Sequence, residues 1–172
     1  MQRVVVVGAS GSGKSTFARA LAERLSAGRV VELDTLYHGA GWIPRSTFVS
    51  DVDEATQGST WVADGNYAEV RDLLWRRADT VVWLDLPRWL LELRVIRRSL
   101  MRWAMGTELW NTNREPSPLG WLDPEHPVRW SWSKHAEYRS RYAARFASPA
   151  WTHLWRVRLR TDAEVRAFLE DA

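Results

Sequence analysis

The chain has no cysteine, which removes disulfides, thiolate metal sites and a cysteine nucleophile from consideration. It has no run approaching the ~20 apolar residues that a membrane helix needs. The start, Met1-Gln2-Arg3 followed by Val4 to Val7, is too short for a signal-peptide core and leads straight into glycines. The expectation is a soluble, cytoplasmic protein. Net charge is also scarce: +3 at pH 7 argues against a surface built to coat a nucleic-acid backbone. Lysine is almost missing, with Lys14 and Lys134 against 22 arginines. Arginine is the better bidentate partner for phosphate and carboxylate, although a GC-rich genome explains most of this bias. What is present is ordinary globular material. At 172 residues, 45% hydrophobic and 26% charged, the chain suffices for one compact domain over residues 1–172 and is short for two.

Apolar and turn-forming residues alternate in a regular way. Val4–Val7 reads as a strand buried on both faces. Ser15–Leu25 has Phe17, Leu21 and Leu25 at helical spacing, and Gly28 is placed to stop it. Val30–Leu33 reads as a second strand ending at Asp34, residues 35–43 as a loop, and Ser46 as the cap of a short helix to about Gln57. A third strand, Trp61–Ala63, ends in Asp64-Gly65. A helix over Ala68–Ala78 and a fourth strand over Thr80–Leu86 follow. Pro87 opens a long helix with Leu90, Leu91, Leu93 and Ile96 on its apolar side. Residues 104–127 hold Gly106, Pro116, Pro118, Gly120, Pro124 and Pro127, the mark of an excursion. A long helix over Val128–Ala147, a fifth strand over Trp155–Leu159 and a capping-box helix from Thr161 close the chain. Strands alternating with helices predict an α/β protein, a parallel sheet with helices on both faces.

One motif carries chemistry. Gly8-Ala9-Ser10-Gly11-Ser12-Gly13-Lys14-Ser15 fits G-x-x-x-x-G-K-[ST]. Its glycines let consecutive backbone N–H groups turn inward around phosphate oxygens. Lys14 brings a mobile cation to the β- and γ-phosphates, Ser15 offers a hydroxyl to Mg²⁺, and the helix dipole points at the same anion. A strand precedes the loop and a helix follows it, as the motif requires. This predicts binding of a nucleoside triphosphate, with ATP and Mg²⁺ as cofactors. The chain lacks N-K-x-D and L-S-G-G-Q, which sets aside Ras-type GTPases and ABC ATPases, and it is small for a RecA-like motor. Small metabolite and nucleotide kinases remain.

Four segments carry a resemblance: GASGSGKST (Gly8–Thr16), LDTLY (Leu33–Tyr37), ADGNY (Ala63–Tyr67) and ADTVVWLDLPRW (Ala78–Trp89). With the arginine helix Arg94–Arg98 they make residues 1–100 resemble the adenylate-kinase/shikimate-kinase group. Within it the chain is most similar to the bacterial FlaR-like "topology modulation" proteins. The resemblance implies a three-layer P-loop NTPase fold with a five-stranded parallel sheet. It also implies an acceptor-binding segment over 35–60, a lid over about 100–138, and nucleotide contacts that include Thr16 and Arg160, the latter beside the adenine. It further implies that Asp64 stands near Mg²⁺ and that Arg94 and Arg98 reach over the transferring phosphoryl group.

The residues themselves bear on three of these roles. Asp64 closes a strand at the sheet edge where ligands gather, and a carboxylate there suits Mg²⁺; an Asp-Gly turn is the bland alternative, and Asp85 a competitor. Arg94 and Arg98 are four apart on one helix face, which a solvated face would explain equally well. Asp34, two residues after Glu32, is similar to the acidic pair of shikimate kinases. A hydroxyl acceptor needs such a carboxylate to orient it and take its proton. A phosphate acceptor needs arginines instead, and Asp64-Gly65-Asn66-Tyr67-Ala68 lacks the one that adenylate kinases carry in D-G-F-P-R. Arg45 and Arg71 are the candidates to replace it; a turn cap would also explain Asp34.

The expected activity is therefore an ATP-dependent P-loop kinase moving a phosphoryl group to a small-molecule acceptor, by preference a hydroxyl. Lys14, Asp34, Arg94 and Arg98 are its catalytic candidates, and Ser15 and Asp64 hold the metal. A nucleoside monophosphate kinase, a polynucleotide-end kinase and a non-catalytic ATP-binding regulator are the alternatives. The last but one draws on Trp103, Trp110, Trp121, Trp130 and Trp132 interleaved with Arg102, Arg114 and Arg129. Tryptophans burying a lid or lining an acceptor pocket explain that segment more simply. His126 and His135 have no metal-ligand companions at useful spacing and read as surface or helix-face residues.

Overall fold

The computed structural model describes residues 1–27, 30–108, 117–118 and 127–172; the side chains of Pro127 and Trp130 are outside it too. Five strands, β1 (Arg3–Gly8), β2 (Val30–Glu32), β3 (Trp61–Asp64), β4 (Thr80–Leu84) and β5 (Trp155–Leu159), form one sheet in the order β2-β3-β1-β4-β5. Every neighbouring pair is parallel. β1 is central, and its valines divide between two cores: Val5 and Val7 face one, Val4 and Val6 the other. This is the two-residue period of a strand buried on both faces.

On the Val5 face lie α2 (Leu33–Tyr37), α3 (Phe48–Ala55), α4 (Ala68–Arg77) and α6 (Pro127–Ala147), which contribute Leu33, Phe48, Val52, Leu74, Trp75 and Tyr142. On the Val4 face lie α1 (Lys14–Arg24) and α7 (Asp162–Glu170), through Phe17, Leu21 and Phe168. Helix α5 (Arg88–Ala104) packs against α6 and runs beside the first glycine loop. The expected three-layer α/β architecture is thus present. Trp61, Trp75 and Trp83 are fully buried and Trp151 packs against the same core.

Several boundaries differ from the sequence reading. The segment expected to start a loop forms α2, and Asp34 sits in its first turn rather than at a strand end. β2 is a three-residue edge strand, and Leu33 leaves it to bury itself at 1% exposure. Ser46 caps nothing: α3 begins at Phe48 behind Thr47. β4 stops at Leu84, although the Asp85 N–H still donates to the Leu159 carbonyl of β5 at 2.8 Å. By contrast Pro87 does precede a long helix, and Thr161 caps α7, its hydroxyl accepting from the Glu164 N–H at 3.1 Å. Gly28 and most of the 104–127 excursion lie outside the described residues.

Candidate functional site

The parallel strands all end at one edge. Val6 pairs with Asp64, Glu32 with Asp64, and Gly8 with Leu84. The glycine motif therefore leaves β1 at Gly8, two residues beyond the level at which β2 and β3 release their acidic residues. Gly11 has φ +80°, and a Cβ there would stand 2.5 Å from the Leu91 carbonyl and 2.9 Å from Val95. Only glycine lets the loop lie this close to α5. Gly13, also left-handed, precedes the first turn of α1. The Ser12 N–H and the Lys14 ammonium both donate to the Ala9 carbonyl, each at 3.2 Å. That carbonyl is thereby occupied, and Lys14 lies over its own loop.

Asp64 faces this loop. It is 6% exposed, and one of its oxygens, Oδ1, is buried with no hydrogen-bond partner. Burial pushes its pKa up, while the Lys14 ammonium and a hydrogen bond from Ser15 pull it down; the net is upward. A buried anionic oxygen without a donor is costly. An orphaned hard oxygen beside the P-loop serine is the donor set that Mg²⁺ takes, so these residues fit the metal. Gly65 (φ +150°) closes the strand, and any Cβ there would strike Leu33 at 2.7 Å, which presses α2 against the end of β3.

Asp85, the competing carboxylate, is spoken for. Arg158 grips its Oδ2 through Nε at 3.0 Å and Nη2 at 2.6 Å, and Arg139 Nε reaches Oδ1 at 3.1 Å. A buried carboxylate between two guanidiniums is a compensated charge, and the Arg158 guanidinium also covers the Trp83 ring at 4.2 Å.

Asp34 lies across from the loop at the mouth of α2. The Tyr67 hydroxyl donates to its Oδ1 at 2.6 Å and lies 3.2 Å from His38 Nε2. Burial and the neighbouring carboxylate push the Tyr67 pKa far up, so the phenol keeps its proton and His38 Nε2 must supply the hydrogen between them. Tyr37, Phe48 and Trp42 surround this trio through edge-on ring contacts. Glu32, its companion in sequence, is instead held by Arg19 at 2.7 Å. Of the two arginines that might receive an anionic acceptor, Arg45 is paired with Asp51 at 3.0 Å. Arg71 has only a long contact to the Asn66 carbonyl at 3.5 Å, and its Nε is buried without a partner. Among the described residues no carboxylate pairs with Arg71.

The remaining candidates are dispersed. Arg94 forms an ion pair with Asp162 at the start of α7, at 2.7 Å. Arg98 is half-buried one turn later, and Arg97 is exposed. The Arg160 side chain is exposed just beyond β5, its N–H held by Glu164. Thr16 faces outward on α1. Trp103 and Trp132 are exposed, and Arg88 stacks on the Trp132 ring at 3.6 Å; Trp110, Trp121, Arg114 and His126 lie outside the described residues. His135 is buried at 8% exposure rather than on the surface, and burial, with Arg88 nearby, lowers its pKa. Spacing in the sequence could not have revealed the Tyr67–Asp34–His38 trio or the Asp85 cage.

Strand order and glycine loop together define a P-loop α/β fold. A family model described as an AAA domain matches residues 4–87. Shikimate kinase from Acinetobacter baumannii, solved in complex with shikimate, superposes with a TM-score of 0.62 at 21% identity, over 99% of this chain and 90% of that one. Shikimate kinase from Bacteroides thetaiotaomicron follows at TM-score 0.54 and 14% identity, over 99% and 95%. A gluconokinase from Sinorhizobium meliloti gives 0.52 and 18%, over 99% and 94%. No curated protein matches the chain in sequence. The fold is therefore that of the shikimate kinases. Among the described residues no helix is long and apolar enough to cross a membrane.

Proposed function

We propose that the protein is an ATP-dependent kinase that phosphorylates a small molecule at a hydroxyl group. The observation that carries this reading is the buried, unpaired Oδ1 of Asp64 beside Ser15 and Lys14. An ordinary Asp-Gly turn has no reason to bury an ionised oxygen at a phosphate loop. The solved shikimate kinases and gluconokinase of the same fold, named for small-molecule kinases, support the reaction class.

In this reading the Gly8–Thr16 backbone and Lys14 hold the polyphosphate, and Ser15 and Asp64 hold Mg²⁺. The metal, when bound, neutralises charge on the phosphate oxygens. Asp34 orients the acceptor. Tyr67 occupies Oδ1 and so leaves Oδ2 to take the hydroxyl proton as the acceptor oxygen bonds to the γ-phosphorus and the bond from that phosphorus to the β-phosphate oxygen breaks, releasing ADP. Arg71, a guanidinium with no carboxylate partner among the described residues, supports an acceptor that carries an anionic group of its own. Arg98 remains a candidate for the phosphoryl charge, and Arg94 would join it only by leaving Asp162. Arg160 stays a proposed adenine contact. The chain is read as one domain, with residues 35–60 facing the acceptor and about 100–138 as the lid. The finer resemblance, to FlaR-like proteins, rests on the quoted motifs alone.

Arg71 also favours a second reading, transfer to the phosphate of a nucleoside monophosphate. Incubation with γ-labelled ATP and a panel of hydroxy acids, sugars, nucleoside monophosphates and oligonucleotides tests both. Label in a hydroxylated acid or sugar supports the first reading. Label in a nucleoside monophosphate replaces it with the second. Label in oligonucleotide, or in inorganic phosphate alone, overturns both.

A further inference from the structure

Asn66, the fourth residue of the A-D-G-N-Y segment, has no role in the scheme above, yet its carboxamide makes three polar contacts beside the loop. Its Nδ2 donates to the Gly8 carbonyl, and its Oδ1 faces the Gly8 N–H at 3.5 Å. The two contacts fix the amide orientation, because one residue, Gly8, presents a donor and an acceptor to the same side chain. β3 has left the sheet at Asp64, so no backbone remains beside Gly8 on that edge. The Asn66 side chain takes its place, extending the parallel ladder one step beyond the last strand residue.

A third bond locks this arrangement from the far side. Tyr142 of α6 donates its hydroxyl to Asn66 Oδ1 at 2.7 Å. Tyr142 is 1% exposed and packs against Trp83 and Tyr138. Oδ1 faces it as an acceptor, so the phenol must donate.

We propose that Asn66 and Tyr142 are positioning residues for the phosphate loop: Asn66 turns the Gly8 carbonyl away from the anion site, and Tyr142 holds Asn66 in place to do so. This rests on the reading of Gly8–Thr16 as a nucleotide site. A phosphate loop works by pointing N–H groups inward, and a carbonyl turned the same way would repel the ligand. The first two carbonyls are both occupied by donors, Gly8 by Asn66 and Ala9 by Ser12 and Lys14. Asn66 is also followed directly by Tyr67, which holds Asp34. Two adjacent residues thus tie the acceptor carboxylate to the start of the phosphate loop, and Tyr142 anchors both to α6. A loop held in its binding conformation before the ligand arrives binds more tightly by the fraction of time it would otherwise spend elsewhere.

The test is calorimetric binding of Mg²⁺ and a non-hydrolysable ATP analogue to the full chain, with hydrogen exchange read at the loop amides. Tyr142→Phe removes one oxygen and keeps the ring packing. It is expected to weaken analogue binding roughly three- to tenfold, the worth of one neutral hydrogen bond, and to speed exchange at Gly8–Gly13 with little change in the unfolding midpoint. Asn66→Ala should weaken binding further, and the double variant should bind no worse than Asn66→Ala, because Tyr142 acts through Asn66. If Asn66→Ala does not fold, Tyr142→Phe decides alone. Unchanged affinity in a folded Tyr142→Phe protein, or additive losses in the double variant, overturns the proposal. Failure of the unmodified protein to bind the analogue overturns the nucleotide reading beneath it, a separate result.

Discussion

Replacing Asp64 by asparagine separates what the carboxylate costs from what it is for. In the folded protein the side chain is 6% exposed and one oxygen has no donor. Burial raises its pKa against the opposing pull of Lys14 and Ser15. At neutral pH the ionised group is thus less stable in the fold than in the unfolded chain. Its contribution to stability is full below the unfolded pKa and is lost as pH rises through the higher folded value. An unsatisfied buried polar group of this kind costs about 1–3 kcal/mol. Asp64→Asn keeps the shape and removes the charge, so it should raise the ligand-free unfolding free energy by about 1 kcal/mol at neutral pH. The gain should shrink as pH falls through the raised pKa of the native carboxyl, where it takes its proton. The same change removes the anionic ligand for Mg²⁺. Stabilisation by Mg²⁺ with an ATP analogue, about 2.7 kcal/mol at 100 times Kd, should then largely disappear, and turnover should fall at least about 100-fold. Urea titrations at about pH 5 and about pH 8, with and without the ligand pair, read all of this. A variant less stable than the parent without ligand, or still fully stabilised by Mg²⁺ and analogue, would refute the reasoning.

Three other outcomes are expected. Lys14→Ala should lower phosphoryl transfer by roughly 100- to 1,000-fold while the circular-dichroism spectrum stays that of the folded parent, because the one hydrogen bond its ammonium donates among the described residues goes to the Ala9 carbonyl; retained turnover would remove Lys14 from the mechanism. Asp34→Asn should reduce transfer to a hydroxyl far more than it weakens binding of the ATP analogue, and equal losses would make Asp34 structural, the anchor of Tyr67. Gly11→Ala should lower the melting temperature by the equivalent of about 1–3 kcal/mol, since its Cβ would lie 2.5 Å from the Leu91 carbonyl; an unaltered melt would mean that the loop does not rest on α5.

The phosphate loop was legible in the sequence because its chemistry is local. Nine consecutive residues supply the glycines, the lysine and the hydroxyls, and the apolar run before them is a strand whichever partners it finds. The parallel α/β class was legible for the same reason: Val4–Val7 and Thr80–Leu84 are apolar on both faces, and Pro87 and Thr161 mark helix starts through their own backbone chemistry. The order β2-β3-β1-β4-β5 is different in kind. It decides that Asp64 rather than Asp85 is left with an open oxygen, because β5 brings Arg158 to Asp85 from 73 residues away. It decides that Arg94 meets Asp162, and that Tyr142 reaches Asn66 across 76 residues. Local propensity also lost at Asp34, where burying Leu33 beneath Gly65 drew the end of an edge strand into a helical turn. Turn chemistry and hydrophobic period act over a few neighbours and can be read along the chain. Which charges find each other depends on how the layers stack, and that exists only once the sheet has formed.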